Sequence, residues 1–385
     1  MSNLIGQGGF GCIYWPGLTC KGNIETSKKY VSKLQKKNIE ADNEYEIGLI
    51  VKSIENYMAY FAPVVKKCNI SLHEIKSTIT KDCGVVQKYS KDSDFYIMKI
   101  NYIDSKTFFD MIYKSNNNKL IALCFDSYPY LVKSLNLLTQ KQIVHFDLKE
   151  NNIIYNTKTN TPIIIDFGLS INMKLLDLTS KKYSDSLSHY FYVYAPDYYV
   201  WTIEIHFINY LLHVNSKPTL EQVEVICRDV VNRNRLFLMF SDEFVENYTK
   251  KCVAFYSKFV GKKTDSVIKE LLSYYHTWDQ YSLSIIYLNM IRHIYGNNIF
   301  QNDLLIYFSQ LLLKNIDPEP FKRNTVKQIL DLHERIFNMG NTSVKNYREL
   351  VNKITVDANG ALKEINKVTK QRELLRKMEK NKRVR

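Results

Sequence analysis

The sequence predicts an α+β chain of two lobes, a small strand-rich one with a single main helix and a larger helical one. Three observations predict it. Glycines crowd into residues 6–11 between two short runs of strand character. A β-branched triplet, Ile163-Ile164-Ile165, ends abruptly at Asp166. Beyond residue 107, long stretches carry apolar residues at helical spacing, chiefly 120–138 and 279–295.

Taken in order, residues 4–14 read as two strands around a glycine turn, and 29–34 as a short third strand. Residues 44–54 place Ile47, Ile50, Val51 and Ile54 on one helical face. Residues 95–100 form another strand and lead into Asn101-Tyr102-Ile103 as a connector. From Phe108 the character is helical, broken by short strands at 153–155 and 163–165. Residues 200–278 are a helical stretch, and 326–337 a last core helix, with Gly340-Asn341 ending the compact part. The expected division is therefore a lobe at 1–103, a lobe at 104–338 with a helical insert around 198–277, and a tail at 339–385.

A chain of 385 residues can build one large domain or two modest ones sharing a cleft. Its hydrophobic share of 45% is ordinary for a chain with a true core. No apolar run approaches the roughly 20 residues of a membrane span. The start Met1-Ser2-Asn3-Leu4 lacks a signal region, which predicts a protein that is not secreted. Seven scattered cysteines without a Cys-x-x-Cys pair predict reduced thiols in a cytosolic protein, with neither a disulfide frame nor a zinc site. The net charge is +14, and residues 366–385 hold nine Lys/Arg against two Glu, so half the excess lies in the tail. Such a tail suits nucleic acid or an acidic partner, although no interleaved aromatics provide a stacking platform. Apolar residues recur near helical spacing from Leu350 to Met378.

The chemistry is concentrated in His145-Phe146-Asp147-Leu148-Lys149-Glu150-Asn151-Asn152 and in Asp166-Phe167-Gly168. The first segment supplies a proton acceptor, Asp147, and a phosphate-binding cation, Lys149. Asn152 and Asp166 add the hard oxygen ligands that magnesium prefers. Phosphoryl transfer needs these parts, because its catalysis is mostly positioning and charge neutralisation. Near the start, Ile5-Gly6-Gln7-Gly8-Gly9-Phe10-Gly11-Cys12-Ile13 leaves backbone N–H groups open to phosphate oxygens, with Ile13 placed to cover a base. A dinucleotide site would have a helix straight after the glycines, whereas Tyr14-Trp15-Pro16-Gly17 favours a second strand. Lys33 on the third strand is the candidate for the α- and β-phosphates. Its partner is expected on the following helix, where Glu44 fits the apolar spacing and Glu46 competes.

These motifs resemble the eukaryotic-type protein kinase superfamily, over about residues 5–335 with breaks. The resemblance implies a bilobal kinase fold, ATP and Mg2+ as cofactors, and proteins as substrates. Lys149, two residues after Asp147, is the serine/threonine form. It further implies that Asn101 and Ile103 read adenine through their backbone, with Ile100 as gatekeeper. Tyr194-Ala195-Pro196-Asp197 resembles the Ala-Pro-Glu element, and Arg323 the arginine paired with its carboxylate. Asp279 resembles the aspartate that holds the catalytic loop. Gly8-Gly9-Phe10-Gly11-Cys12-Ile13-Tyr14-Trp15-Pro16-Gly17 and Tyr30-Val31-Ser32-Lys33-Leu34 resemble kinases of large nucleocytoplasmic DNA viruses, which implies the host cytoplasm or a virion. A small-molecule phosphotransferase and a silent pseudokinase scaffold are the alternatives. Three departures stand out. Phe146 replaces the arginine that normally anchors a phosphorylated loop, which predicts activity independent of Thr179, Ser184, Ser186 and Ser188. Asp197 replaces a glutamate. The interval from Pro196 to Asp279 exceeds the family norm by roughly 50 residues.

Overall fold

Five antiparallel strands make the smaller lobe in the computed structural model, which describes residues 3–115, 117–176, 183–297 and 303–338. They are β1 (Asn3–Gln7), β2 (Gly11–Trp15), β3 (Tyr30–Lys36), β5 (Val64–Ser71) and β6 (Asp94–Asn101), in the order β1-β2-β3-β6-β5. Helix α1 (Ile39–Lys52) packs on this sheet. Asn38 caps α1 by accepting the Ala41 N–H at 2.9 Å, and Glu40 and Asp42 complement the dipole of the first turn. That polar turn carries no apolar stripe, so the helix begins five residues earlier than its periodicity suggests. Gly48 sets how close α1 comes: a Cβ there would lie 2.4 Å from the Val64 carbonyl oxygen. A two-residue strand β4 (Phe61–Ala62) and a short helix α2 (Ser77–Thr80) complete this part. Strand β5 is not foreseen from sequence, because Lys66, Lys67 and Asn69 interrupt its apolar alternation.

The chain crosses over through β7 (Ser105–Thr107) into α3 (Phe108–Lys114) and α4 (Asn117–Gln140). Strand β8 (Ile143–Val144) pairs with β11 (Ile171–Asn172), and β9 (Ile153–Asn156) with β10 (Thr161–Ile165). Strand β4 joins β10 in parallel register, a hydrogen-bonded tie between the two parts. Helix α5 (Tyr183–Tyr190) follows, then α6 (Ile203–His213), α7 (Leu220–Arg233), α8 (Asp242–Tyr256) and α9 (Thr264–Leu272). Helix α10 (Trp278–Asn297) is almost wholly buried and packs on α4 and α11 (Asp303–Asn315), while α12 (Val326–Asn338) packs on α4 and α11. The main core joins these helices to Ile47 and Val51 of α1 and to Phe61 and Phe167. A second core unites α6–α9 with Phe146, Phe191 and Trp278.

The cysteine expectation is overturned. Cys12 is bonded to Cys83 and Cys20 to Cys68, with Cα–Cα separations of 6.1 and 5.8 Å. The partners are 71 and 48 residues apart in sequence, so they meet only once the smaller lobe has folded. Cys124, Cys227 and Cys252 are free and buried. Among the described residues no helix is long and apolar enough to cross a membrane. Thr179 and the expected basic tail with its helical pattern lie outside the described residues.

Candidate active site

Strand β3 projects Lys33 beneath the β1–β2 turn, where its Nζ lies 2.7 Å from Glu44 Oε2 and 3.1 Å from Asp166 Oδ1. Glu44 is buried and Glu46 is exposed, which decides between the two glutamates. Burial opposes charge on Lys33, but the two carboxylates outweigh it and hold its pKa above the ordinary lysine range. Burial pushes Glu44 up despite Lys33, with the Asp166 charge adding to the rise. For Asp166 burial is again opposed, and Lys33 brings its pKa below the usual value. The lysine thus keeps its charge at neutral pH and carries it to the seam between the lobes.

Above it lies a cavity of about 470 Å³. Ile5, Gly6, Gly8, Gly9, Phe10, Gly11 and Ile13 roof it, Asn101 and Ile103 form its back edge, and Lys33, Glu44 and Asp166 close its deep end. A Cβ at Gly8 or Gly9 would touch nothing within 4 Å, so these two serve no packing and leave bare backbone facing the cavity. Gln7 departs from the expected lining. Its side chain turns outward and accepts the Gly84 N–H at 3.1 Å. Tyr102, between Asn101 and Ile103, lines the cavity with them; Val31, Ala62, Ile154 and Ile165 also line it and were not anticipated. Val31 was within reach, because it shares the strand face of Lys33 two residues on. The result is an apolar slot with one charged end, the shape a flat base bearing an anionic chain requires.

Residues 145–152 connect β8 to β9. Asp279, at the start of α10, accepts the N–H groups of His145 (2.7 Å) and Phe146 (3.1 Å). Phe146 takes a left-handed backbone with φ 67°, an unfavourable state for a bulky residue that these bonds sustain. Trp201 Nε1 donates to the Phe146 carbonyl at 2.9 Å, and His145 Nε2 lies 3.0 Å from the Ile165 carbonyl. The loop is therefore fixed at its backbone, and Asp147, Lys149 and Asn152 hydrogen-bond to one another rather than lining the cavity under the glycine turn. Lys149 Nζ donates to both Asp147 oxygens at 2.9 Å. Asn152 Nδ2 donates to the Asp147 carbonyl at 2.8 Å and to Oδ2 at 3.0 Å. Tyr198 also donates its hydroxyl to Asp147 Oδ1. Burial and then the Asp147 charge raise the Tyr198 pKa, so it remains a protonated donor.

Asp166 is left-handed too, with φ 62°, and Phe167 behind it packs on Phe61 and His145. Asn43 of α1 donates to the carbonyls of Gly168 (3.2 Å) and Ser170 (2.9 Å), and Tyr190 of α5 donates to the Asn43 oxygen. Helix α1 is thereby tied to the chain that follows Asp166. Phe146 fills its place with apolar contacts to Phe191 and Trp201, at ring separations of 5.5 and 5.0 Å.

A divalent cation fits Asn152 and Asp166. The amide donors of Asn152 are committed to Asp147, which leaves its oxygen for a cation, and the Asp166 side chain is 42% exposed toward the cavity. Among the described residues no cluster of three or more His, Cys, Asp or Glu could hold a metal alone. Two protein oxygens completed by phosphate and water are the arrangement magnesium usually adopts.

Arg323 corrects the sequence expectation. Its carboxylate is Glu204, not Asp197, which is exposed. The Ala195-Pro196 dipeptide misleads, and the acid comes seven residues later, at the start of α6.

A family model described as a protein kinase domain matches residues 1–198. The match ends at residue 198, short of Glu204, Asp279 and Arg323. No curated protein matches the chain.

Proposed function

Since the chain belongs to the protein kinase superfamily, whose domain model spans just over half of it, we propose that it transfers the γ-phosphate of Mg·ATP to serine and threonine hydroxyls of proteins. The observation that supports this best is Lys33, bridging Glu44 of one lobe and Asp166 of the other under the glycine turn. Lys33 would hold the α- and β-phosphates, and the open backbone at Gly8 and Gly9 would meet phosphate oxygens. Asn101 and Ile103 would present backbone groups to adenine, between Ile13, Val31 and Ala62 on one side and Ile154 on the other.

Asp147 would align the acceptor hydroxyl and take its proton as that oxygen bonds to the γ-phosphorus and the bond to the ADP oxygen breaks. Lys149 would neutralise the oxygens of the moving group. Magnesium held by Asn152 and Asp166 would supply charge compensation on the phosphates. The Tyr198 hydroxyl on Asp147 occupies the position an acceptor hydroxyl needs, so it must yield to or share the aspartate with substrate.

In this reading residues 1–103 are the nucleotide-binding lobe, 104–338 the substrate lobe, with an insert at 198–277. The resemblance at residues 8–17 and 30–34 supports a viral origin and a host-cytoplasmic or virion location, and the two disulfides then require an oxidant acting on the chain there. The basic residues 366–385 would meet an acidic partner or nucleic acid.

The test is transfer of labelled γ-phosphate by purified protein to a protein mixture, followed by identification of the modified amino acid. Asp147→Asn is the control. Phosphoserine and phosphothreonine from the wild type alone are expected; equal signal from both proteins would remove the enzymatic reading.

A further inference from the structure

We infer that the cavity of about 600 Å³ between the helical insertion and the segment after Asp147 binds a negatively charged group of the protein substrate. The ligand is a side-chain carboxylate or a phosphate monoester flanking the acceptor hydroxyl. The inference rests on the kinase reading and adds the substrate class.

Three guanidinium groups line this cavity: Arg233 in the last turn of α7, Arg235 just beyond it, and Arg292 of α10. Arg292 Nη1 donates to the Arg235 carbonyl at 2.7 Å, which fixes the backbone that carries Arg235. Among the described residues neither Arg235 nor Arg292 forms an ion pair, and Arg233 has only Asp229 at 3.8 Å. Two acids share the lining, Glu150 and Asp197. Glu150 is buried and already receives the Tyr199 hydroxyl at 2.6 Å. Three cations thus face two carboxylates, one of them engaged, and the unused donors are planar forks suited to carboxylate or phosphate.

The cavity is also held in register with the chemistry. Asn234, between the two arginines, donates to the Tyr199 carbonyl at 3.2 Å. Tyr199 follows Tyr198, which touches Asp147, and Glu150 follows Lys149. A substrate whose hydroxyl sits on Asp147 therefore passes beside Arg233 and Arg235, both exposed. The insertion supplies these two arginines and lies largely beyond the matched domain.

The test uses full-length protein and serine-centred peptides in which each flanking position is in turn Asp, phosphoserine, Ala or Lys. Wild type should show a higher kcat/KM for Asp or phosphoserine than for Ala at one or more positions. In the Arg233→Glu/Arg235→Glu double variant that ratio should fall about 10- to 100-fold, and Lys peptides should gain. The gain separates direct recognition from a merely structural effect. Preference for phosphoserine alone would assign the cavity to prior phosphorylation; preference for both assigns it to acidity in general. Indifference of the wild type to charge, or a preference that survives the double reversal, would overturn the inference. The same peptides carrying a fluorophore are titrated by anisotropy. If no peptide is phosphorylated yet acidic ones bind more tightly through the arginines, the cavity stands and the kinase reading falls. Equal binding of acidic and neutral peptides would sink the cavity itself.

Discussion

Arg323 and Glu204 form a bidentate ion pair inside the larger lobe, with Nη1–Oε1 at 2.6 Å and Nη2–Oε2 at 2.9 Å. Their side chains are 1% and 0% exposed. Arg323 also donates to the Asp317 carbonyl and the Thr277 hydroxyl, both at 2.9 Å, and Tyr256 donates to Glu204. The pair ties the start of α6 to the segment before α12 and anchors the chain that carries Tyr198 and Trp201 to the base of the lobe.

Glu204→Ala should therefore leave a buried, unpaired guanidinium and cost about 3–5 kcal/mol of stability. Asp197→Ala, at an exposed site, should stay within about 0.5 kcal/mol. Urea unfolding of both variants checks this. A larger loss from Asp197→Ala would restore the pairing suggested by Ala195-Pro196.

Glu44 and Glu46 should differ just as sharply in activity. Glu44→Gln removes the charge that orients Lys33, and a fall in kcat of about 10-fold or more is expected from loss of a buried charge-assisted bond. Glu46→Gln should change kcat less than twofold, roughly, because its carboxylate faces solvent. Steady-state kinetics on the two variants decide; equal losses would mean that α1 is set by something other than this pair.

Phosphorylation of the segment after Asp166 should not be needed. Phe146 offers no cation for a phosphate, and Asn43 already joins α1 to Gly168, Ser170 and Tyr190. Replacing Thr179, Ser184, Ser186 and Ser188 together by Ala should preserve phosphate transfer, whereas Asn43→Ala should lower it severalfold. Collapse of the quadruple variant to background would show that a modified residue is required after all.

Acid should weaken the fold through His206. This side chain is buried in α6, and burial above all pushes its pKa down to about 3. The folded protein holds it neutral, while the unfolded chain takes up a proton near the ordinary 6.5. Its contribution is complete above pH 6.5 and is lost as pH falls toward 3, at up to roughly 1.4 kcal/mol per pH unit. His333, pushed down to about 4 by burial, acts in the same sense. Urea midpoints at pH 7.5 and pH 5 should differ less for His206→Gln than for wild type. An unchanged difference would place the acid sensitivity elsewhere.

The two-lobe α+β plan is legible along the chain, because glycines and β-branched runs bias the backbone locally and apolar spacing marks the face a helix must bury. Family membership was legible for the same reason: the residues around Asp147 and Asp166 lie within a few positions of one another, so their pattern survives in one dimension. Tertiary structure alone decided the rest. Choosing Glu44 over Glu46 required knowing which face of α1 meets β3. The Glu204–Arg323 pair spans 119 residues, and the disulfides span 71 and 48. Arg235 and Arg292 are likewise far apart in the chain and converge only when residues 235–239, just after α7, pack on α10. Ion pairs, disulfides and cavities depend on distances of a few ångströms between residues far apart in sequence. Local propensity does not encode those distances; the packed core fixes them.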